Sequence, residues 1–326
     1  MNAHDSSTPA EAARLRLALD ADRLLADLMT ARDHLWDEQS SYENGRVSRW
    51  AEQDWRCLPV RSPGGDKTRT DPGGPGCAEF ADTEWLDHMP YVREVLRCVP
   101  GPLYAVRFMD LGPGVVGYPH CDAKFAPDWG MARLHIPVTT HKEASLDLDG
   151  EIYRWQPGEF WFGDFSRKHQ IQNHGPEHRV HLVVDVLVTP ELAQLFPADW
   201  ADYFAGPEVL YNRPAVAPSD DERAAAQCSF DAPTHLLEIE VFGALAGSQP
   251  QATFGIVDTE AGLAVRSPQD HLFPLVALGG GEYRLVGWSE ERTITTRLDG
   301  PRPEVEVTYR KGQRSTRLAV PARPAA

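Results

Sequence analysis

The sequence predicts a mainly β protein whose central part is an antiparallel barrel or jelly roll. Between Leu103 and Thr189, short runs rich in Val, Ile, Phe, Tyr and Trp follow one another at close spacing, as in a compact all-β block. Inside this block, Asp149 and Gly150 separate two alternating runs in LDLDGEIYRW. An Asp-Gly pair in that position is a strong hairpin signal, so we expect antiparallel pairing rather than a parallel sheet.

The residues before this block are predicted to contain packing helices. Thr8, Pro9 and Glu11 have the pattern of an N-cap, a first helical residue and a capping-box partner, which predicts a helix through about residue 34. The segment TEWLDHMPYVREVLRCV is a second helix candidate. Between the two, glycine, proline and charge predict an irregular loop at Arg61–Gly76, whose basic residues we interpret as a solvated charge run rather than a lid.

The composition along the 326 residues predicts two domains joined by a linker. Residues 1–212 are predicted to form one domain, with helices first and the jelly-roll core at about 100–195. Proline and acidic residues in RPAVAPSDDERAAAQ predict a linker at 213–227. Residues 228–326 give further strand candidates such as HLLEIEVF, EYRLVGW and EVEVTYR, which predict a smaller β-rich domain without a chemical motif of its own.

Charge and cysteine usage bear on partners and compartment. Acidic residues outnumber basic ones 48 to 32, for a net charge of −16, so nucleic acid and anionic membranes are poor partners. The five cysteines form no C-x-x-C pair, which argues against a disulfide framework and a zinc knuckle. Without a leader pattern or an apolar run long enough to span a bilayer, we expect a cytoplasmic location. The oligomeric state stays open.

A metal site is the chemical hypothesis that the histidines suggest. His120 and Asp122 lie two residues apart, and on an extended strand such residues point to the same face and can bind one ion. One distant histidine would complete a 2-His-1-carboxylate triad that leaves positions open on Fe(II). His169, which follows the strand GEFWFGDF, is our candidate. We interpret three other histidines as ordinary turn residues: His141, His174 and His178.

Two predicted strands add cationic side chains on the same polar face as imidazoles. Alternation in RVHLVVDV places Arg179 on one face with His181 and Asp185, opposite an unbroken apolar face. In ARLHIPV, Arg133 and His135 project to one side in the same way. Because a planar guanidinium pairs bidentately with a carboxylate, these strands favour a cavity that binds an acidic small molecule.

The motifs together resemble those of a known family. The segment VRFMDLGPGVVGYPHCD…RLHIPV…WQPGEFWFGDFSRKHQIQN…HRVHLVVDV is similar to the aspartyl/asparaginyl β-hydroxylases and related bacterial proline hydroxylases, which are Fe(II)/2-oxoglutarate-dependent oxygenases. The resemblance covers roughly residues 100–195. It implies a double-stranded β-helix, which is the cupin-like jelly roll, with flanking N-terminal helices. It also implies hydroxylation of a C–H bond with O2, while 2-oxoglutarate becomes succinate and CO2.

The resemblance also implies roles for individual residues. His120 and His169 would bind iron, and Asp122 would be the carboxylate ligand that the proline hydroxylases keep. Arg179 would hold the distal carboxylate of 2-oxoglutarate, which His135 would also contact. Arg133 aligns with an arginine that grips a substrate carboxylate, and we add Arg107 to the predicted substrate-binding set as a further candidate. Met109 departs from the family, because a hydroxyl side chain at its position assists co-substrate binding in the aspartyl enzymes.

Three classes of function stay open at this point. The first is an Fe(II)/2-oxoglutarate dioxygenase that hydroxylates an amino acid, either free or as an Asp-, Asn- or Pro-like residue of a peptide. The second is a metal-dependent cupin isomerase or hydrolase, which would have no reason to place Arg179 ten residues after His169. The third is a cupin that binds a small molecule without catalysis and does not need all three ligands.

Overall fold

A computed structural model describes residues 10–34, 36–43, 46–49, 54–238 and 250–325. The α-helices are α1 Ala21–Met29, α2 Pro90–Arg97, α3 Ala201–Ala205 and α4 Asp220–Ala225, and short 3-10 helices lie at Glu84–His88, Pro127–Trp129, Leu192–Leu195 and Ala198–Trp200. The described part of the chain contains no helix that is both long and apolar enough to cross a membrane.

The strands fall into two groups along the chain. The first group is β1 Ala12–Arg14, β2 Asp37–Glu38, β3 Ser40–Glu43, β4 Arg46–Arg49, β5 Trp55–Pro63, β6 Phe80–Asp82, β7 Leu103–Leu111, β8 Met131–Thr139, β9 Ala144–Leu148, β10 Glu151–Tyr153, β11 Trp161–Gly163, β12 His169–Asn173 and β13 Arg179–Leu187. The second group is β14 Cys228–Pro233, β15 Gln251–Thr259, β16 Gly262–Arg266, β17 Leu272–Gly279, β18 Glu282–Leu285, β19 Arg292–Arg297, β20 Glu304–Lys311 and β21 Arg314–Pro324.

Apart from β3 and β4, which pair with each other, the first group forms the two facing sheets of a jelly roll, so the predicted fold class is confirmed. Among the described residues, the larger sheet runs in the order β1-β11-β8-β13-β7-β5-β2, with β6 beside β5, and the smaller sheet is β10-β9-β12. Every pairing in the two sheets is antiparallel. The hairpin between β9 and β10 turns at Asp149 and Gly150, which both have positive φ as a tight two-residue turn requires.

Period-two alternation decides what each face of the larger sheet contacts. On its outer face, Leu134 and Ile136 of β8 and Leu182 of β13 share one apolar cluster with Leu24 of α1 and Val92 of α2. Burial of such side chains on both elements stabilises the packing of the helices on the sheet. The opposite face of β8 and β13 is turned toward the smaller sheet and carries charged residues. The site therefore lies between the two sheets.

The N-terminal helix predictions are partly wrong. Thr8 and Pro9 lie outside the described residues, and Ala12–Arg14 is a strand that pairs with β11, so the helix is confined to Ala21–Met29. Its N-cap is Asp20, whose side chain accepts hydrogen bonds from two backbone N–H groups. The second predicted helix is interrupted, because Pro90 can begin a new helix but cannot continue the preceding turn.

The second group of strands forms a closed antiparallel barrel in the order β14 to β21. Its interior is filled with apolar side chains, among them Phe230, Phe254 and Val265. The predicted linker contains the short helix α4, which begins at a capping box made by Ser219 and Glu222. Of the predicted strand HLLEIEVF, the first residues form a turn and those from 239 onward lie outside the described part. The domain boundaries stay predictions.

Candidate active site

Three side chains predicted to bind a metal lie together at the mouth of the jelly roll. One ligand atom from each of His120, Asp122 and His169 lies within 4.8 Å of the others. The two imidazole ring centroids are 4.3 Å apart, and Nε2 of His120 lies 3.7 Å from Oδ1 of Asp122. Two imidazoles and one carboxylate are the donor set of a non-haem Fe(II) site, so this cluster fits such an ion.

Backbone pairing holds the two histidines in register across a long stretch of sequence. The N–H of His120 donates to the carbonyl of His169 at 3.0 Å, and the N–H of His169 donates back at 2.8 Å. Asp122 is fixed differently, by donation from its N–H to the carbonyl of Phe165 at 2.8 Å. The expectation that His120 and Asp122 share one face of a strand is wrong, because His120 forms only an isolated bridge, residues 121 and 122 are irregular, and this backbone bond orients Asp122 instead.

The tautomers of both histidines follow from their backbone contacts. Nδ1 of His120 lies 2.8 Å from the carbonyl oxygen of Tyr118, and Nδ1 of His169 lies 3.0 Å from that of Arg167. Because a carbonyl oxygen can only accept, each ring carries its proton on Nδ1 and its lone pair on Nε2. Burial lowers the pKa of His169, which also keeps that ring neutral. Neutral imidazole is the form that coordinates a metal.

The carboxylate ligand is tied to a buried ion-pair network. Arg133 contacts Asp122 through Nη1, and its Nε and Nη2 pair with Asp185 at 2.6 and 3.0 Å. Arg133 and Asp185 are direct cross-strand partners on β8 and β13. Burial opposes ionisation of Asp122, but the guanidinium of Arg133 brings its pKa below the usual value. The network therefore keeps Asp122 ionised and oriented.

Arg179 is a buried cation whose guanidinium has no partner in the described part of the chain. The residue is 5% exposed, and no described group forms a hydrogen bond or ion pair with its side chain. Burial lowers the pKa of Arg179 to about 9, and the more distant Asp110 opposes this. Since an unpaired buried charge is costly, this side chain is suited to an incoming carboxylate.

His135 presents a second unsatisfied polar atom to the same cavity. Its Nε2 is buried without a hydrogen-bond partner, while its Nδ1 lies 3.4 Å from Nδ1 of His181. Burial holds the pKa of both imidazoles well below the ordinary value, so both rings are neutral. The His135 ring stacks on Phe165 with the centroids 4.7 Å apart. A neutral, fixed ring with an unpaired nitrogen fits a hydrogen bond to a bound organic acid.

The remaining predicted residues also lie at the cavity. Arg107 donates to the carbonyl of Thr70 at 2.9 Å and lies 3.5 Å from Asp185, but its Nε has no partner among the described groups. Met109 lines the cavity as well. By contrast, the three histidines interpreted as turn residues bond to neighbouring polar side chains, namely His141 to Asn173, His174 to Gln172 and His178 to Asp110.

These groups open into a cavity of about 350 Å³. Its wall combines the three candidate metal ligands with Arg107, Arg133, His135 and Arg179, and with aromatic residues that include Tyr42, Trp55 and Phe125. Two lining residues, Glu238 and Trp288, come from the C-terminal part of the chain. Such a mixture of apolar walls and few convergent polar groups is typical of a small-molecule site.

Sequence reasoning missed two contributions to this site. Asp185 was placed on the polar face of its strand but given no role, although a buried acid opposite Arg133 was a usable signal. Lys124 forms a buried ion pair with Glu291 at 2.8 Å, across 167 positions of sequence. Neither its spacing nor its surroundings in the sequence could have revealed that contact.

Comparison with known proteins gives a family match over half of the chain. The model of a family described as aspartyl/asparaginyl beta-hydroxylase matches residues 20–189, which include the three candidate ligands, Arg133, His135 and Arg179. The match ends before the C-terminal barrel. No curated protein matches the sequence significantly.

Several solved structures are similar to parts of the chain at low identity. A 2OG-Fe(II) oxygenase family oxidoreductase from Burkholderia pseudomallei is 11% identical, covers 50% of this chain and 78% of its own, and has a TM-score of 0.34. A prolyl-4-hydroxylase from Pseudomonas putida is 14% identical over 54% of this chain and 92% of its own, with a TM-score of 0.33. A Cupin 2 conserved barrel domain protein from Salinispora arenicola is 20% identical over 33% of this chain and 74% of its own, with a TM-score of 0.21.

Proposed function

Because this chain belongs to the aspartyl/asparaginyl β-hydroxylase family, we propose that it hydroxylates a C–H bond of an amino acid, either free or as an Asp-, Asn- or Pro-like residue of a peptide. The family makes it an oxygenase that uses Fe(II), 2-oxoglutarate and O2. When bound, iron with these co-substrates supplies the oxidising chemistry, and the protein supplies ligands, orientation and a dry cavity.

The observation that carries this proposal is the unpaired Arg179 in the same cavity as the ligand cluster. Its guanidinium is buried without a described partner, and the unpaired Nε2 of His135 lines the same cavity. A dicarboxylate that reaches the iron and pairs with Arg179 would remove the cost of burying that cation. We assign His120, Asp122 and His169 to the iron, and Arg179 and His135 to 2-oxoglutarate.

Arg133 is the proposed contact for the substrate, with an additional role toward Asp122. A guanidinium has five N–H groups, and the contacts to Asp185 and Asp122 use one each on Nε, Nη1 and Nη2. The second N–H groups of Nη1 and Nη2 stay for a substrate carboxylate, with Arg107 beside them. The cavity volume, near the low end for small-molecule sites, favours one amino acid or one side chain of a peptide beside the co-substrate.

The two alternative functions explain less of this arrangement. A cupin isomerase or hydrolase would use the three ligands but would leave the buried Arg179 without a purpose. A binding protein without catalysis would not need a carboxylate ligand that Arg133 and Asp185 hold so closely.

The test is 2-oxoglutarate turnover with Fe(II) and O2, followed by succinate release and by mass gain of one oxygen in a panel of free amino acids and short peptides. We expect succinate to form only when iron and 2-oxoglutarate are both present. An iron-loaded protein that forms no succinate with any panel member would refute the dioxygenase. A reaction of a panel member without 2-oxoglutarate would favour the isomerase or hydrolase.

A further inference from the structure

The loop between β18 and β19 of the C-terminal barrel is buried along its whole length. Residues 286–291, with the sequence VGWSEE, all lie in the interior although they form a loop that carries two acidic residues. Loops normally run over the surface, because a buried loop must satisfy its polar groups with other parts of the protein. We refer to residues 286–291 as the barrel loop.

The jelly roll and its flanking segments supply several polar partners of the barrel loop. The hydroxyl of Tyr104 donates to the carbonyl of Trp288 at 2.7 Å, and the N–H of Glu290 donates to Oδ1 of Asn212 at 2.8 Å. Ser289 donates to the carbonyl of Trp129. At Gly287, with φ of +79°, a Cβ atom would collide with the carbonyl of Gly74. The loop is therefore fitted closely against the part of the chain that forms the cavity.

Glu291 connects the barrel loop to the segment that carries two candidate metal ligands. One carboxylate oxygen of Glu291 pairs with Nζ of Lys124 at 2.8 Å, and the other accepts from the indole N–H of Trp288 at 3.0 Å. Both charged side chains are almost completely buried. Lys124 follows Asp122 by two residues and has a φ of +63°, a conformation that needs support from its surroundings in a residue other than glycine.

We propose that the C-terminal barrel is an integral part of the metal centre, with Glu291 as a positioning residue that fixes the segment of His120 and Asp122 through Lys124. Trp288, which the same carboxylate orients, closes the cavity wall beside that segment. This inference rests on the proposed function, because it takes His120, Asp122 and His169 as the ligands. It gives the residues beyond the family match a role in the chemistry of the site.

The test is the affinity of the full-length protein for Co(II), measured without O2 by titration of the visible absorption of the bound ion. Loss of a group that orients a metal ligand costs about tenfold or more in metal affinity. We expect that loss in Glu291→Gln and in Lys124→Met. If the two residues act through one contact, the double variant should bind Co(II) no more weakly than either single variant.

Glu290→Gln is the matched control. Glu290 is adjacent in sequence, equally buried, and paired with a cation of its own, Arg213, at 2.6 Å. We expect both glutamine variants to lower the temperature of unfolding, Glu290→Gln by less because Arg213 is half exposed, whereas Glu290→Gln should leave the Co(II) affinity unchanged. A general weakening of the fold would lower the Co(II) affinity in both variants.

Three outcomes would overturn the inference. The first is an unchanged Co(II) affinity in Glu291→Gln and Lys124→Met. The second is a double variant in which the losses of Co(II) affinity from the two single variants add. The third is a loss of Co(II) affinity in Glu290→Gln as large as that in Glu291→Gln. If the wild-type protein bound no Co(II) at all, the metal site would be wrong, and with it the proposed function. Normal wild-type binding combined with any of the three outcomes would overturn this inference alone and leave the dioxygenase intact.

Discussion

The jelly roll and the C-terminal barrel are both antiparallel β structures, but their interiors differ in chemistry. Between the sheets of the jelly roll lie buried ionisable residues such as Arg107, Arg133 and Arg179. The barrel interior is mainly apolar, with side chains such as Phe230, Phe254 and Ile294, and its buried Arg292 is already paired with backbone carbonyls. A core filled with apolar side chains stabilises a fold but leaves no polar cavity for a ligand. We therefore expect the barrel to serve the site through its ends and loops.

The largest difference in effect is expected between a substitution inside the jelly roll and a substitution inside the barrel. His169→Ala removes a proposed iron ligand, so 2-oxoglutarate turnover should fall to background while the temperature of unfolding changes little. Phe230→Ala leaves a cavity in the barrel core, which should cost about 3–5 kcal/mol of unfolding free energy without abolishing turnover of the folded protein. Succinate release and thermal unfolding of both variants check this. The contrast fails if His169→Ala retains most of its activity.

Arg179 gives a second contrast between an unpaired and a paired arginine. Arg179→Ala should weaken 2-oxoglutarate binding by ~2–5 kcal/mol, which is a factor of about 30 or more, because one carboxylate loses its partner. The ligand-free variant should be at least as stable as wild type, since it no longer buries an unpaired cation. The control is Arg310→Ala in the barrel, where Arg310 pairs with Glu282 at 2.8 Å. It should lose stability and keep its 2-oxoglutarate affinity. If Arg179→Ala kept its 2-oxoglutarate affinity and Arg310→Ala lost it, another arginine would have to bind the co-substrate.

Arg133→Lys separates the substrate from the co-substrate. Lysine keeps the charge but loses the planar fork, so substrate binding should weaken about tenfold while 2-oxoglutarate affinity stays nearly constant. A misplaced substrate should also raise the ratio of succinate to hydroxylated product. Titration of both ligands and measurement of that ratio check the prediction. If substrate affinity does not change, Arg133 does not grip a substrate carboxylate, whereas a collapse of 2-oxoglutarate affinity would show that its contact with Asp122 dominates.

The smallest effects are expected from substitutions that place a hydroxyl group inside the jelly roll or inside the barrel. Met109→Thr restores a hydroxyl side chain at the position where the aspartyl enzymes use one, which should tighten 2-oxoglutarate binding by about two- to tenfold. In the barrel, Ile294→Thr buries a hydroxyl without a partner and should cost about 1–3 kcal/mol of stability. Equilibrium binding and denaturant unfolding of both variants test this. A Met109→Thr protein with unchanged affinity would show that this chain has replaced the family contact.

Local patterns were sufficient to predict much of the jelly roll. Alternation in β8 and β13 separated the apolar face from the face with arginine and histidine, and Asp149-Gly150 identified a hairpin. The N-terminal helix was predicted too long, because a capping pattern at Thr8 cannot show that residues 12–14 pair with a distant strand. Such pairing depends on tertiary contacts that local propensity does not encode.

The candidate site was predictable to the extent that strand alternation and family motifs encode it. The three candidate ligands, Arg179 and His135 could be named from the sequence, and they line one cavity. Two contacts could not be predicted from the sequence, namely that of Asp122 with Arg133 and that of Lys124 with Glu291. Each contact joins segments that come close only in the folded chain. The role of the barrel loop was missed for the same reason.

The ion pair between Lys124 and Glu291 also has a consequence for the order in which the protein is made. A ribosome that adds about 5–20 residues per second needs roughly 10–30 s to travel from one partner to the other. During that interval the ligand segment has emerged, while its counter-ion has yet to be synthesised. The jelly roll can begin to pair its strands, but Lys124 can pair with Glu291 only after the barrel loop has been synthesised. Insertion of iron into a fully formed centre is therefore expected to follow completion of the barrel.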